Sequence, residues 1–506
     1  MAVQAPTSGL AGVQWRPVLL ISLMFAVVGF GFSVSVAAQL RLLEDIICTA
    51  YYEKNSPITT QGGGVHENIC KMTEIQEVLA QVLGWQSFFE NVPGLLLAMP
   101  YGVVADKYGR KVVLVASMIG MFLSSIWVLF VCWSGLPIRL IWLSNLFVCI
   151  GGGGTVTMAI SMTIIADATP ETQRSRVTFY CEAMSIAAAM VAPAIGAILM
   201  EVDVWIPLLI QLACSAIAVM IAISTPETQS SVCKVRKSTN ISVEQNTGTK
   251  SLPARSRQAK SVLVSLVRHS ASTASFVVHD RNIMFIVLSF LFNEFGRQSL
   301  TFLLQYVSKR YGWSVANASY LLSLRGAAQL GFVLILPILD IFLVERLKIA
   351  AQAKDLMLAR ISVVLLTASF AAIAFSGKVW LVVIGLALYT LGNGFGTFAR
   401  SLVSSLVHPD MIGTLYTSIS VMDAIGALLA GPLVANAFKF GLHLGGMWLG
   451  MPYMLSTVLL ASCSVLLFGV RLRVMSEDEV DEYTPVLSQE GQAHESTPYR
   501  DDDEAS

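Results

Sequence analysis

The feature that most limits this chain is a series of apolar runs, recurring from near its start to near its end. Each is about 20 residues or longer, enough to cross the hydrocarbon core of a bilayer as a helix. They fall near 17–39, 77–105, 112–133, 138–166, 177–200 and 204–224, and then near 283–307, 315–343, 357–376, 379–404, 411–436 and 447–470. Hydrocarbon offers no water to bond backbone N–H and C=O groups, so such runs must form helices. The expectation is an all-α membrane protein with twelve transmembrane helices in two sets of six. Of 506 residues, 55% are hydrophobic and 13% charged, outside the usual range of soluble domains. The formal net charge is zero, which gives no electrostatic basis for binding nucleic acid.

The runs divide the chain into a short N-terminus (1–16), a first six-helix half (17–224), a central linker (225–282), a second half (283–470) and an acidic tail (471–506) expected to be disordered. Lys and Arg collect in alternate links: Lys107, Arg110 and Lys111; Arg174 and Arg176; the central linker; and Arg346, Lys348, Lys354 and Arg360. Basic links mark the cytoplasmic side, so both termini are expected there. Met1–Trp15 lack the basic start of a secretory signal, and the first run is too long for one, so it reads as a signal-anchor. Residues 261–278 of the linker are apolar enough to lie as a helix on the inner leaflet.

An internal repeat agrees with two sets. Gly151–Gly154, a polar link, and then a helix with Glu182 and Pro193 recur as Gly392, Gly394 and Gly396, a link, and a helix with Asp423 and Pro432. Gly151–Gly154 lack the Lys-Ser/Thr of a phosphate loop and are expected inside a helix, serving close helix contact.

The link between the second and third runs carries Gly102, Asp106, Lys107, Gly109, Arg110 and Lys111. Gly102 would allow close approach of a neighbouring helix. Asp106 would cap the third helix or pair with a cation. Gly109 would permit a turn that other residues resist. This spacing resembles the signature G-x-x-x-D-[RK]-x-G-[RK]-[RK] of the major facilitator superfamily, at the position where that family places it. Two further features resemble fungal members: an acidic first loop holding Cys48 and Cys70, and a long basic middle. The resemblance implies the major facilitator fold and alternating access about a midplane site. It also implies a gating role for the signature link, whose Asp106 and Arg110 would lock helix ends on the cytoplasmic side. Ala192-Pro193 to Gly196-Ala197 resembles the fifth-helix signature of drug antiporters, with alanine at two of its glycine positions.

Charges within a bilayer are costly and require a reason. Glu90 lies midway along the second helix, with Gln86 and Asn91 nearby. Glu294, Arg297, Gln298, Thr301 and Gln305 share one face of the seventh. Arg325 and Gln329 follow in the eighth, Tyr389, Asn393 and Thr397 in the tenth, and Tyr416, Ser420 and Asp423 in the eleventh. These are the candidate cavity-lining residues. Glu90 and Asp423 have no cation within a helical turn in sequence and are the first candidates for proton coupling. Glu294, beside Arg297, is the third. Arg325 is expected near Glu90 across the cavity. Glu182 is assigned to a cytoplasmic network with Asp167, Glu171, Arg174 and Arg176.

Cys48 and Cys70 share the first outer loop, facing an oxidising compartment, and are expected to pair. No nucleophile–base motif, nucleotide loop or metal spacing occurs, so neither an enzyme nor a cofactor is expected. The functional expectation is proton-coupled export of a small organic molecule such as a secondary metabolite, by a monomer in the lipid bilayer. The membrane would be the plasma membrane, or a vacuolar or other internal one. Uptake of a nutrient or vitamin-like solute is the alternative transport reading. A non-transporting receptor on the same fold is the alternative from another class.

Overall fold

The structure is a computed structural model that describes residues 14–55, 67–228, 281–341, 351–407 and 412–470. The tail, and the linker from 229 to 280 with its apolar 261–278 stretch, lie outside the described residues. The described chain is helical throughout. In order it forms α1 (Trp15–Asn55), α2 (Thr73–Tyr108), α3 (Arg110–Ser134), α4 (Ser144–Val148), α5 (Gly153–Ala168), α6 (Glu171–Val202) and α7 (Trp205–Ser224). It continues with α8 (Arg281–Ser299), α9 (Leu303–Tyr311), α10 (Val315–Ile341), α11 (Ala351–Ala374), α12 (Val379–Gly392), α13 (Phe395–Ser405), α14 (Ile412–Leu444) and α15 (Met451–Gly469).

Eleven spans among the described residues are long and apolar enough to cross a membrane. The twelfth crossing is α8–α9. A 3-10 turn at Leu300–Phe302 interrupts it, and it carries the polar stripe from Glu294 to Gln305. The same polar residues that make it a candidate site take it below the apolarity of its neighbours.

Several boundaries differ from those expected. Helix α1 runs sixteen residues past the apolar run ending at 39, so much of the expected first loop is helix and Cys48 sits on it. Cys48 and Cys70 are joined by a disulfide, with Cα atoms 5.4 Å apart, which ties the end of α1 to the start of α2. The fourth crossing is broken: Gly151, Gly152 and Gly153 adopt φ of 99°, 81° and 69° between α4 and α5. These glycines were expected within a continuous helix. They instead make a left-handed turn that side chains resist, and a Cβ on Gly151 would run into the backbone of Ser117. Tyr101 spans the break, donating to the Cys149 carbonyl (2.9 Å) and accepting from Gly151 N–H (2.8 Å). The tenth crossing is broken at the matching place, between α12 and α13.

The two sets of crossings meet at one end. Helix α2 packs on α14, where a Cβ on Gly431 would come within 2.7 Å of the Gly84 carbonyl oxygen. Helix α10 packs on α6, where a Cβ on Gly326 would lie 2.8 Å from Met190 Cα. A continuous buried core runs through the second set and the disulfide end of the first, including Leu43, Ile75, Leu79, Leu303 and Phe438. At the opposite end the first set has a separate core around Met24, Leu114, Ile164 and Ala218.

Candidate functional site

Among the described residues, the hydrogen bonds and ion pairs that join the two sets lie in the disulfide-end half of the bundle. Gln298 Nε2 donates to Ser87 Oγ at 2.7 Å. Gln305 Nε2 donates to the carbonyl and side-chain oxygens of Gln76 at 2.8 and 2.9 Å. Ser319 Oγ donates to the Pro193 carbonyl at 3.3 Å. Glu77 receives Lys439 at 3.5 Å and His443 at 2.6 Å. Nearer the disulfide, Lys71 bonds both oxygens of Glu44 (2.8 and 3.0 Å) and Glu67 (2.9 Å), while Gln76 donates to Glu44 at 2.6 Å. Glu67 in turn accepts the Val315 N–H at 2.9 Å, and Lys309 donates to the Lys71 carbonyl. Glu44, Gln76 and Gln305 are buried, so the centre of this polar seam is shielded from solvent, and each of these groups depends on its partners.

Away from the seam, charged groups gather between the helices of the second set. Glu294 pairs with Arg297 at 2.6 Å, in line with their i,i+3 spacing on α8. Asp423 pairs with Arg400 at 3.0 Å. The two pairs are neighbours, because Asp423 and Arg400 both act electrostatically on Glu294. Gly426 makes this possible: a Cβ there would lie 2.9 Å from both the Glu294 Cβ and the Leu291 carbonyl, so α14 approaches α8 closely at this turn. Arg400 also lies over the Phe290 ring, 5.1 Å from its centroid. Tyr389 is buried against Phe370, within electrostatic range of Arg325 and Arg297. Asn393 Nδ2 donates to Gln329 Oε1 at 3.2 Å, joining the tenth crossing to α10.

Asp423 therefore has a cation, though none stands within a turn of it in sequence. Arg400 was missed because it sits on a separate crossing, and an apolar run ending in a single arginine reads as an ordinary helix end. Glu90 is exposed, one turn beyond Ser87, and forms no hydrogen bond or ion pair among the described residues. No ion pair joins it to Arg325. Gln86 Nε2 donates to Ser144 at 3.4 Å, joining α2 to α4, and Asn91 Nδ2 bonds back to the Ser87 carbonyl of its own helix at 2.8 Å. Thr301 is exposed and bonds back to the Gln298 carbonyl at 2.7 Å. Thr397 is exposed on α13. Tyr416 accepts from Ser404 at 3.0 Å, and Ser420 donates to the Tyr416 carbonyl at 2.9 Å.

The signature link holds a second cluster, to which α5 and the residues after α7 contribute partners. Gly109 has φ of 106°, and the chain turns there between α2 and α3. Glu227, just beyond α7, accepts the backbone N–H groups of Arg110 and Lys111, each at 3.1 Å. It thus supplies the carboxylate at the positive end of α3. Arg110 pairs with Asp167 and donates to the Thr163 carbonyl at 3.0 Å, fastening the link to α5. Asp106 lies within electrostatic range of Arg110. Lys107 sits over the Tyr108 ring, 5.4 Å from its centroid. Gly102 faces open space, with nothing within 4 Å of a Cβ placed there. Close approach on α2 occurs instead at Gly84 and at Gly94, which packs on Thr155. Glu182 is exposed without a hydrogen bond or ion pair among the described residues, and Asp167 pairs with Arg110. The side chains of Glu171, Arg174 and Arg176 lie outside the described residues.

Among the described residues no group of His, Cys, Asp and Glu has the arrangement of a metal site. Residues 69–431 match the family model for the Major Facilitator Superfamily. The chain is 33% identical over 475 residues to "MFS efflux pump atnC" of Emericella nidulans, covering 93% of this chain and 91% of that protein. It is 30% identical over 437 residues to "Efflux pump ustT" of Aspergillus flavus, covering 85% and 83%. Its fold matches the crystal structure of nucleoside transporter NupG with a TM-score of 0.55 at 14% identity, covering 89% of this chain and 98% of that one. The matching proteins are transporters, and the solved one shares the fold of this all-α bundle; this chain belongs to the major facilitator superfamily, as a multi-pass secondary-active transporter of small molecules related to fungal efflux pumps.

Proposed function

We propose that the protein exports a small organic molecule, of the secondary-metabolite or drug-like kind, from the cytoplasm by alternating access coupled to protons. The observation that carries this reading is the division of the bundle. The sets are joined across a polar seam at the disulfide end, while charged side chains that are partly exposed, Arg297, Arg400 and Asp423, lie between the helices away from that seam. On the topology argued from Lys and Arg, the link end is cytoplasmic, and this state would admit a solute from inside. The export direction draws on relatives named as efflux pumps. Plasma membrane is the expected location.

Proton coupling needs a group able to be charged in one state and neutral in another within the membrane. Glu90 suits this role, since it faces open space on α2 with no cation beside it. Asp423 and Glu294 each hold an arginine and serve better as parts of a charge network that rearranges with the sets. The signature link would hold the cytoplasmic ends through Asp106, Arg110 and Asp167. The test is to express the protein in proteoliposomes and in a deletion strain, and to follow the compound whose cellular level rises on deletion. Export that needs an inward proton gradient supports the reading. Accumulation driven the other way would replace export by uptake, and absence of any transported compound would leave a sensor.

A further inference from the structure

We propose that Arg325, with the side-chain amide of Gln329 one turn on, is the recognition point for an anionic group on the transported molecule. The inference rests on the transport reading and adds the chemical class of the cargo. Arg325 lies ten residues into α10, about 15 Å along it, so its guanidinium stands deep in the crossing. An arginine cannot shed its charge there, as a carboxylic acid can by binding a proton.

Charge accounting isolates it. Among the described residues, the electrostatic neighbourhood of Glu294 and Tyr389 in the second set holds three guanidiniums, Arg297, Arg325 and Arg400, and two carboxylates, Glu294 and Asp423. The carboxylates are taken by Arg297 and Arg400. Arg325 forms no ion pair or hydrogen bond among the described residues, and it is only partly buried. One positive charge is therefore left over between the helices, on a side chain whose planar fork suits a carboxylate or a similar oxyanion. Its surroundings fit the same ligand. Asn393 uses its Nδ2 to bond Gln329 Oε1, which leaves the Gln329 Nε2 hydrogens free to donate on the face that Arg325 shares. Tyr389 stands within electrostatic range of Arg325 and offers an aromatic wall. Gly326 seats α10 directly on Met190 of α6, so Arg325 lies beside the contact between the two sets. An anion bound there would be sensed by the surface that must move.

The experiment uses a deletion strain complemented with wild type, R325K, R325Q or the swap E90R/R325E, each fluorescently tagged to equalise surface expression. Each compound whose medium-to-cell ratio falls on deletion is recovered. Its charge at neutral pH is read on anion-exchange resin, before and after methyl esterification. Binding of the recovered compound and of its ester is then compared by thermal shift on purified wild type, R325K and R325Q. The expected result is that the compounds are anions, that the ester loses its thermal shift on wild type, and that R325Q exports the acid roughly tenfold less while no longer telling acid from ester. R325K should fall between. If R325Q does not reach the membrane, the acid-to-ester ratio of R325K decides. Neutral or cationic compounds would overturn the proposal while leaving transport intact. So would wild-type export of the acid by R325Q, or rescue by the swap, which would make Arg325 the partner of Glu90. If no compound changes on deletion, the transport reading falls and this proposal with it.

Discussion

Arg400 Nη2 stands 3.0 Å from Asp423 Oδ2, joining two crossings that neither residue's sequence neighbourhood connects. The pair is partly exposed, 44% for Arg400 and 24% for Asp423, so its direct worth to folding is about 0–1 kcal/mol. Its consequence lies in the charge balance beside Glu294. Arg400→Gln leaves Asp423 without its cation and should cut transport about tenfold, while the double variant with Asp423→Asn should recover part of the loss. Transport rates normalised to surface protein check this. Losses that simply multiply would show that the two residues act separately.

Coupling is tested at Glu90. Glu90→Gln mimics the protonated acid and should abolish concentration of substrate against its gradient while sparing counterflow exchange. Asp423→Asn should reduce both. A Glu90→Gln variant that still concentrates substrate and answers pH like the parent would remove this residue from the coupling role.

At the signature link, Arg110 is held by Asp167 and by the Thr163 carbonyl, and Glu227 caps α3. Asp167→Asn and Asp106→Asn should each reduce transport strongly at near-normal expression. Glu227→Gln keeps one acceptor oxygen and gives up one of the two backbone bonds to α3 together with the charge at the helix start, a change of about 1–3 kcal/mol, so its effect should be the smallest of the three. Equal loss in all three variants would contradict this ranking.

The seam at the disulfide end should set the resting state. A Cβ on Gly431 would lie 2.7 Å from the Gly84 carbonyl oxygen, so Gly431→Leu must push α14 from α2. The variant should raise the reactivity of a cysteine reporter placed at Gln76 or Gln305 toward a membrane-impermeant maleimide added outside. Unchanged labelling would show that this contact does not close the outer end.

The Cys48–Cys70 bridge spans 22 residues of sequence and holds Lys71 against Glu44 and Glu67. In the chain-entropy account a loop of this size is worth about 3 kcal/mol. Replacing both cysteines by serine should lower the melting temperature of the purified protein, and reductant should lower that of the wild type to match. A wild type indifferent to reductant, with no loss in the double variant, would count against it.

The sequence by itself determined the class of fold, because a bilayer forces every apolar run of sufficient length into a helix and the positions of Lys and Arg then argue its orientation. It also determined Glu294–Arg297, since residues three apart on one helix meet whatever the helix packs against. The tertiary structure decided the rest. Asp423 reads as uncompensated until Arg400 arrives from another crossing, and the pairing of Asp167 with Arg110, from the link after the second crossing, is not visible in either residue's sequence neighbourhood. Glu227, in a polar stretch with no motif, becomes the cap of α3. Helix α1 outruns its apolar segment because a disulfide and a buried ion network replace the bilayer as its support. The run Gly151–Gly153 signals close contact in either case, but whether it bends the helix depends on what lies opposite: Ser117 and the Tyr101 hydroxyl. Local periodicity reports one helix at a time, whereas partners between helices depend on rotation and depth, which packing sets.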